Sequence, residues 1–181
     1  MASVTVRSGS LVAAFGNSPL LDGFDLIDAR SNPALDNILA AQAFPVTRII
    51  DGGPRSDRIV GTLGPDVIDG GDGSDVILGR GGNDVINGGR GNDFIDGGGG
   101  VNTLAGGEGA DTFRFLGATG DRVTDYSQAQ GDVIRLVPHE SYSFRATSDG
   151  FGIYNSHGDL VADLLGVTSR AQITLATDHL F

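Results

Sequence analysis

The residues of this chain that could do chemistry are aspartates placed at a fixed interval of nine residues. Between Gly52 and Arg114 the sequence repeats seven times, and each unit joins a glycine-rich half to an Asp-x-apolar half. A period of this length, with a carboxylate and an aliphatic side chain at constant offsets, is typical of a metal-dependent solenoid. The sixth position of the successive units holds Asp57, Asp66, Asp75, Asp84, Asp93, Asn102 and Asp111.

Each unit is expected to divide into a six-residue loop and a three-residue strand. Glycine at the first, second and fourth positions predicts loop residues with φ > 0, which brings backbone carbonyls close together. Because successive side chains on a strand point to opposite faces, the apolar eighth position should face the core. That position holds Ile59, Ile68, Ile77, Ile86, Ile95, Leu104 and Phe113.

Two units should complete one coil, so that loops recur on the same side every eighteen residues. We call the side that holds Asp57, Asp75, Asp93 and Asp111 the odd edge. The side that holds Asp66, Asp84 and Asn102 is the even edge. Counting the gaps between successive loops predicts three sites on the odd edge and two on the even edge, one of them weakened by the neutral amide of Asn102. Asp93→Ala should then weaken metal binding more than Asp111→Ala, because Asp93 faces two gaps.

Stacked carboxylates repel one another unless a cation lies between them. At about 5 Å the cost is roughly 3 kcal/mol at an effective dielectric near 20. Calcium accepts six or more oxygen ligands, whereas magnesium demands a tighter octahedron and zinc prefers histidine or cysteine, which the array lacks. We therefore expect about four to five calcium ions. Besides the sixth-position residues, the predicted ligands are loop glycines, namely Gly71, Gly73, Gly82, Gly89, Gly91, Gly98, Gly100, Gly107 and Gly109.

The composition limits the classes of partner. Of 23 acidic residues only Glu108 and Glu140 are glutamate, all 12 basic residues are arginine, and the net charge is −11. This acidity disfavours nucleic acid, because phosphate would be repelled. The absence of cysteine excludes disulfides and thiolate metal sites. No apolar run approaches the length of a transmembrane segment, and the apolar stretch Leu11–Phe15 is too short for a cleaved signal peptide.

Composition divides the chain into residues 1–51, 52–114 and 115–181. The first zone should form an N-terminal cap, with short strands near Val4, Val6 and Leu11–Phe15 and a helix that begins after Ser31 and ends at Pro45. The third zone should form a β-rich cap, because an open solenoid end is an exposed sheet edge. Its predicted strands are Val133–Val137, Tyr142–Thr147, Phe151–Asn155, Leu160–Leu165 and Gln172–Ala176.

The array resembles the RTX (repeats-in-toxin, haemolysin-type calcium-binding) motif, GGxGxDx-apolar-x. The match covers about 63 of 181 residues, and the units that begin at Gly70, Gly88 and Gly106 satisfy every constrained position. The resemblance implies an all-β fold, a calcium-bound parallel β-roll. The departures from the motif are Arg55, Thr62 and Arg80 in place of glycine, and Pro54 and Pro65 in the first two loops.

The resemblance continues beyond the repeats. The segments Asp121–Tyr126 and Gly131–Leu136 are similar to those that follow RTX arrays, which implies that Asp125 and Asp132 close the last coil and bind calcium. A simpler role as turn-capping aspartates is an equal alternative. The terminal Ile173–Phe181 is similar to uncleaved type I secretion signals, although a closing strand of the cap would look the same.

The resemblance implies a secreted or cell-surface calcium-binding protein without catalysis, exported by ABC-type machinery. One alternative is a surface or matrix protein of an S-layer, biofilm or adhesin. Its contact surface would be an outward apolar ladder at the seventh position (Val67, Val76, Val85 and Phe94), which we expect the chain's own terminal zones to cover. A second alternative is the C-terminal module of a secreted protease, lipase or epimerase. The chain has no zinc-protease His-Glu-x-x-His, since Ser143 follows His139-Glu140 at that spacing, and no G-x-S-x-G.

Overall fold

The computed structural model of the protein describes residues 25–28, 47–117, 119–138 and 140–176, the first of these by backbone alone. Within these residues fourteen strands form two sheets, which we call the larger and the smaller sheet. The larger runs in the order β1-β2-β4-β6-β8-β10-β14-β13-β12, and the smaller in the order β11-β9-β7-β5-β3. The strands are β1 Asp25–Asp28, β2 Arg48–Asp51, β3 Arg58–Val60, β4 Asp66–Asp72, β5 Val76–Leu78, β6 Val85–Arg90, β7 Phe94–Asp96, β8 Thr103–Glu108, β9 Thr112–Phe115, β10 Asp121–Val123, β11 Val133–Leu136, β12 Ser143–Ala146, β13 Gly150–Tyr154 and β14 Leu160–Leu165.

Consecutive strands of the array alternate between the two sheets, and every pairing within it is parallel. In the larger sheet Ile68 lies opposite Ile86, and in the smaller sheet Ile77 lies opposite Ile95. Each pair is separated by two repeats, so one coil consists of two nine-residue units. The parallel β-roll expected from the sequence is confirmed.

The core of the roll is a column of eighth-position side chains from both sheets. These seven residues, from Ile59 to Phe113, are between 0% and 3% exposed, which confirms the inward orientation. The column extends beyond the repeats to Ile50 at one end and to Val123 and Ile134 at the other. Because the repeats have short strands and glycine-rich loops, this column is the principal apolar contribution to their stability.

The division into six-residue loops and three-residue strands is wrong for the larger sheet. Its strands β4, β6 and β8 contain six or seven residues, whereas β3, β5 and β7 of the smaller sheet contain three. The longer strands continue into the loops of the odd edge, where Gly71 pairs with Gly89 and Gly89 with Gly107. Backbone pairing therefore holds the odd-edge loops in register with one another.

The parallel pairing begins before the first repeat. Strand β2 lies in register with β4, with Arg48 opposite Asp66, and β1 pairs with β2 in turn. The predicted helix between Ser31 and Pro45 and the predicted strands at Val4, Val6 and Leu11–Phe15 lie outside the described residues. No helix in the described part of the chain is long and apolar enough to span a membrane.

Strands beyond the repeats extend the larger sheet at the C-terminal end of the roll. Strand β14 pairs in parallel with β10, and β12, β13 and β14 form an antiparallel meander. Four of the predicted strands correspond to β11–β14. The fifth, Gln172–Ala176, is wrong: a short 3-10 helix spans Arg170–Gln172, and only Leu175 forms an isolated bridge, to Ile134. The terminal segment 177–181 lies outside the described residues.

Candidate metal centre

The sixth-position aspartates of the odd edge form a continuous hydrogen-bonded column. The backbone N–H of Asp57 donates to Oδ1 of Asp75 at 2.7 Å, and that of Asp75 donates to Oδ1 of Asp93 at 2.8 Å. The N–H of Asp93 donates to Oδ1 of Asp111 at 2.9 Å. Asp75, Asp93 and Asp111 are at most 2% exposed, so these three residues are shielded from water.

The second carboxylate oxygen of these residues is buried and has no hydrogen-bond partner. This holds for Oδ2 of Asp57, Asp75, Asp93 and Asp111. A buried charged oxygen without a partner carries an uncompensated desolvation cost, which a bound cation removes. The position of these oxygens thus fits a column of metal ions along the odd edge.

Backbone carbonyls occupy the same gaps between loops. Ten of the eleven second- and fourth-position glycines have φ values between 82° and 137°, and Gly64 is the exception. On all ten of them except Gly53, a Cβ atom would lie closer than 3.0 Å to backbone of the preceding coil, because carbonyl oxygens approach their Cα atoms. The residues in this conformation are Gly53, Gly71, Gly73, Gly82, Gly89, Gly91, Gly98, Gly100, Gly107 and Gly109. All nine glycines expected as carbonyl ligands therefore line the gaps between loops.

The prediction that first-position glycines have φ > 0 is wrong: Gly52, Gly61, Gly70, Gly79, Gly88, Gly97 and Gly106 do not. They are glycine for a different reason. A Cβ on Gly70 would lie closer than 3.0 Å both to the carbonyl oxygen of Gly88 and to Oδ2 of Asp75. The first position must therefore lack a side chain, so that a carboxylate oxygen and a carbonyl oxygen can approach its Cα atom.

The donor set consists of oxygen alone. Within the described residues no three histidine, aspartate or glutamate side chains converge on one point, so most ligands of an ion would be carbonyl oxygens. Carboxylate and carbonyl oxygens suit calcium, which accepts six to eight of them in flexible geometry. The arrangement fits neither the compact octahedron of magnesium nor the nitrogen and sulfur preference of zinc.

The even edge satisfies most of its own polar groups. Thr62 donates its backbone N–H to Oδ2 of Asp66 at 2.6 Å, and its hydroxyl lies within hydrogen-bonding distance of both carboxylate oxygens. The N–H of Asp84 donates to Oδ1 of Asn102 at 2.9 Å, and the Asn102 amide nitrogen donates to Oδ1 of Asp121 at 3.0 Å. On this edge only Asp84 has an unpartnered buried Oδ2.

Two aspartates beyond the repeats contact the last odd-edge loop. Asp132 takes the next place in the odd column, because Asp111 donates its N–H to Oδ1 of Asp132 at 3.0 Å. Asp111 therefore faces a gap on each side, which removes the expected difference between Asp111 and Asp93. Asp125 accepts the N–H groups of Gly106 and Gly107, one on each oxygen, at 2.9 Å. This contact matches the turn-capping role considered for Asp125.

Sequence reasoning missed Asp121 as a member of the even column. The N–H of Asn102 donates to Oδ1 of Asp121 at 2.9 Å, in the manner of a sixth-position residue. The spacing from Asn102 is 19 residues rather than 18, which hides the equivalence. The detectable signal is the Asp-x-apolar pattern of Asp121-Arg122-Val123, whose valine is fully buried like an eighth-position residue.

A comparison with known families agrees with this geometry. Residues 51–86 and 78–113 match the RTX calcium-binding nonapeptide repeat, in four copies. The chain carries an RTX repeat array. Two similar solved structures are the AlgE6R3 and AlgE6R2 subunits of the Azotobacter vinelandii mannuronan C5-epimerase. The first is 29% identical, with 70% of this chain and 82% of that chain covered and a TM-score of 0.32. The second is 27% identical, with 78% and 98% covered and a TM-score of 0.32. No curated protein matches the chain significantly.

Burial makes the carboxylates of the RTX array difficult to ionise when no cation is bound. Desolvation raises the pKa of Asp84 to about 7, and it raises the pKa of Asp75 and of Asp111 to about 6. The N–H donated from the preceding coil opposes the shift in each case, and neighbouring carboxylates add to it. The pKa of Asp93 is raised by the same desolvation. In the metal-free array the ionised form of these carboxylates is therefore disfavoured, because no positive charge lies beside it.

A second ladder joins the loops of the RTX array at the fifth position. Ser74 donates its N–H to the hydroxyl of Ser56 at 2.9 Å, and Asn92 donates its N–H to the hydroxyl of Ser74 at 3.2 Å. On the even edge Val101 donates its N–H to Oδ1 of Asn83 at 2.9 Å. These exposed contacts add to the register of the loops without requiring a cation.

Proposed function

We propose that this protein is a secreted, non-catalytic module whose RTX array folds when calcium binds between its loops. The observation that carries the proposal is the row of buried, unpartnered Oδ2 atoms on Asp57, Asp75, Asp93 and Asp111. Each lies in a gap where backbone carbonyls converge, so a cation there replaces repulsion with coordination.

The free energy of calcium binding is large enough to determine whether the roll is folded. Extracellular calcium modules bind with dissociation constants of about 0.1–1 mM. At ten times that concentration each independent site adds about 1.4 kcal/mol, so four to five sites add roughly 6–7 kcal/mol. This equals the stability of a typical domain. The glycine-rich, acidic array would then lack the driving force to fold in the absence of calcium.

The same coupling supports secretion through an ABC-type exporter. Free calcium is scarce inside cells, so the array would stay unfolded there and could pass through a channel. Outside the cell it would bind calcium and fold. The formal charge of −11 keeps the unfolded chain soluble, and the lack of cysteine makes its folding independent of oxidation.

The placement of the acidic groups supports a structural role. The buried carboxylates of Asp75, Asp93 and Asp111 each bind the backbone of the preceding coil, where a substrate could not reach them. His157 is exposed and lies in a turn held by Asn155. His139 and His179 lie outside the described residues.

The proposal is tested by circular dichroism of the whole chain during a calcium titration. We expect a sigmoidal gain of β signal that a chelator reverses, with magnesium at the same concentration giving little change. An unchanged spectrum in calcium and in excess chelator would refute calcium-coupled folding. Secretion is tested separately, by expressing the chain with and without an ABC exporter and measuring it in the medium.

A second candidate function, assembly at a surface or in a matrix, is favoured by one feature of the larger sheet. Ile49, Val67 and Val85 are in register on its outer face and are 39%, 42% and 50% exposed. Of the predicted ladder, Val67 and Val85 lie on this sheet, whereas Val76 and Phe94 lie on the smaller sheet. The terminal segments expected to cover the ladder lie largely outside the described residues. Sedimentation velocity in the presence of calcium tests this function. An assembly of the wild-type chain that Val85→Lys dissociates would support it. A wild-type chain that stays monomeric at high concentration would reject it.

A further inference from the structure

The two edges of the array differ in formal charge. The odd column consists of Asp57, Asp75, Asp93, Asp111 and Asp132, five carboxylates with a formal charge of −5. The even column consists of Arg48, Asp66, Asp84, Asn102 and Asp121, three carboxylates and one guanidinium with a formal charge of −2. Repulsion between stacked carboxylates, and therefore the benefit of inserting cations, is concentrated on the odd edge.

The unpartnered oxygens follow the same division. Four of the five buried aspartate Oδ2 atoms without a partner belong to the odd edge, and only Asp84 contributes one from the even edge. Asp66 has none, because Thr62 donates to it from both the backbone and the hydroxyl. A carboxylate that already has its donors gains less from a cation than one that has none.

Two residues of the even column lower its negative charge. Arg48 starts the even column, is 2% exposed and donates its N–H to Oδ1 of Asp66. Asn102 places a neutral amide in the column and donates to Asp121. Asp84 is therefore flanked by a carboxylate that Thr62 satisfies and by an amide that carries no charge.

Backbone pairing between successive loops is also more extensive on the odd edge than on the even edge. The larger sheet continues into its loops, where Gly71 pairs with Gly89 and Asp72 with Arg90. On the even edge the corresponding contact is the isolated bridge between Gly81 and Gly99. The three units that satisfy every position of the motif, beginning at Gly70, Gly88 and Gly106, all place their loops on the odd edge.

We propose that calcium loads along the odd edge, in the gaps between Asp57 and Asp132, and that the even edge closes by its own hydrogen bonds without an ion. The proposal rests on the calcium-dependent folding proposed above. Five carboxylates bound four gaps, so the odd edge accounts for up to four ions.

Isothermal titration calorimetry of the whole chain, with equilibrium dialysis to count bound calcium, tests the proposal with two isosteric variants. Asp75→Asn and Asp84→Asn each remove one charge and keep the Oδ1 acceptor of the column. We expect Asp75→Asn to lose at least one bound ion and Asp84→Asn to keep the wild-type count. Equal losses from both variants, or a loss confined to Asp84→Asn, would overturn the assignment to one edge.

A gain-of-binding variant keeps the test decisive if Asp75→Asn fails to fold. Asn102→Asp restores a carboxylate to the even column beside Asp84, and we expect it to add one bound ion. An unchanged count for Asn102→Asp, together with a lower count for Asp84→Asn, would show that the even edge already holds an ion, and the proposal would be wrong. A wild-type chain that binds no calcium would instead refute the proposed function itself, so the two failures are distinguishable.

Discussion

The backbone N–H of Asp75 donates to Oδ1 of Asp93, one coil further along the chain, at 2.8 Å, while Oδ2 of Asp93 is buried without a partner. One carboxylate therefore has two separate tasks. Its first oxygen fixes the register of two coils, and its second is available to a cation. Every odd-edge aspartate from Asp75 to Asp111 repeats this division.

Asp93→Ala should remove both the hydrogen-bond acceptor that fixes the register of two coils and the oxygen available to a cation. The N–H of Asp75 loses its acceptor, which costs about 1–3 kcal/mol for a buried group, and the cation sites on both sides lose a ligand. We expect a higher calcium midpoint in circular dichroism and a lower free energy of unfolding in saturating calcium. Asp69→Ala is the matched control, because it removes the same charge from an exposed ninth position. Equal effects of the two variants would show that net charge, rather than position, governs folding.

The metal-free array should gain structure as the pH falls. The folded-state pKa values of Asp75, Asp84 and Asp111, about 6, 7 and 6, lie above the ordinary value of 3.8. Their protonation favours the folded state, fully below about pH 4, and this contribution is lost as the pH rises through 6 to 7. Protein stripped of metal on a chelating resin should show more β signal at pH 5 than at pH 8.

The opposite dependence is expected with calcium. Protons compete with the ion for the same carboxylates, so the calcium midpoint should rise as the pH falls from 8 to 5. Calcium titrations followed by circular dichroism at each pH measure this shift. A midpoint that does not change over this range would exclude the buried aspartates as ligands.

Gly70→Ala should prevent correct stacking of the third and fifth repeats. The added Cβ would lie closer than 3.0 Å to the Gly88 carbonyl oxygen and to Oδ2 of Asp75, so the backbone of the next coil must shift. We expect a loss of at least about 2 kcal/mol in thermal or denaturant unfolding. Gly81→Ala is the control, since the nearest atoms to its Cβ would be 3.6 Å away and its φ is not positive. A Gly70→Ala chain as stable as Gly81→Ala would contradict the close packing of the first position.

Arg80→Gly should stabilise the protein. Arg80 is the one non-glycine residue with positive φ in the described part of the chain, at 79°. Backbone strain in a non-glycine residue with positive φ costs about 1 kcal/mol or more, and glycine at the same position removes it. Arg90→Gly removes the same charge from an exposed arginine without positive φ, and it should be neutral or slightly destabilising. A drop in the unfolding midpoint of Arg80→Gly would show that the arginine side chain contributes more than the strain costs.

The periodic features of this protein could be predicted from its sequence, and the local departures could not. A fixed offset was enough to assign the eighth-position core and the two edges. The insertions before Asp121 and Asp132 change the spacing to 19 and 21 residues, so both continue their columns without obeying the repeat. The role of Thr62 depends on a hydroxyl reaching Asp66 across a loop, which motif matching treats only as a missing glycine.

The extension of the larger-sheet strands into the loops could not be predicted from the sequence for a related reason. The strands of the larger sheet lengthen because glycines with positive φ, such as Gly71 and Gly89, still pair across coils. Sequence periodicity gives no measure of how far such pairing continues. At the other end, Gln172–Ala176 alternates like a strand, yet the chain first turns through Arg170–Gln172 and leaves a single bridge.

The alternation of repeats between the two edges has a consequence for the length of such proteins. Adding or deleting eighteen residues leaves Arg48, Asp121 and Asp132 opposite the same kinds of neighbour as now. A change of nine residues reverses the parity of the array: every downstream aspartate changes sides, and the terminal aspartates meet the wrong columns. Evolution and design can therefore lengthen this molecule only in even numbers of repeats.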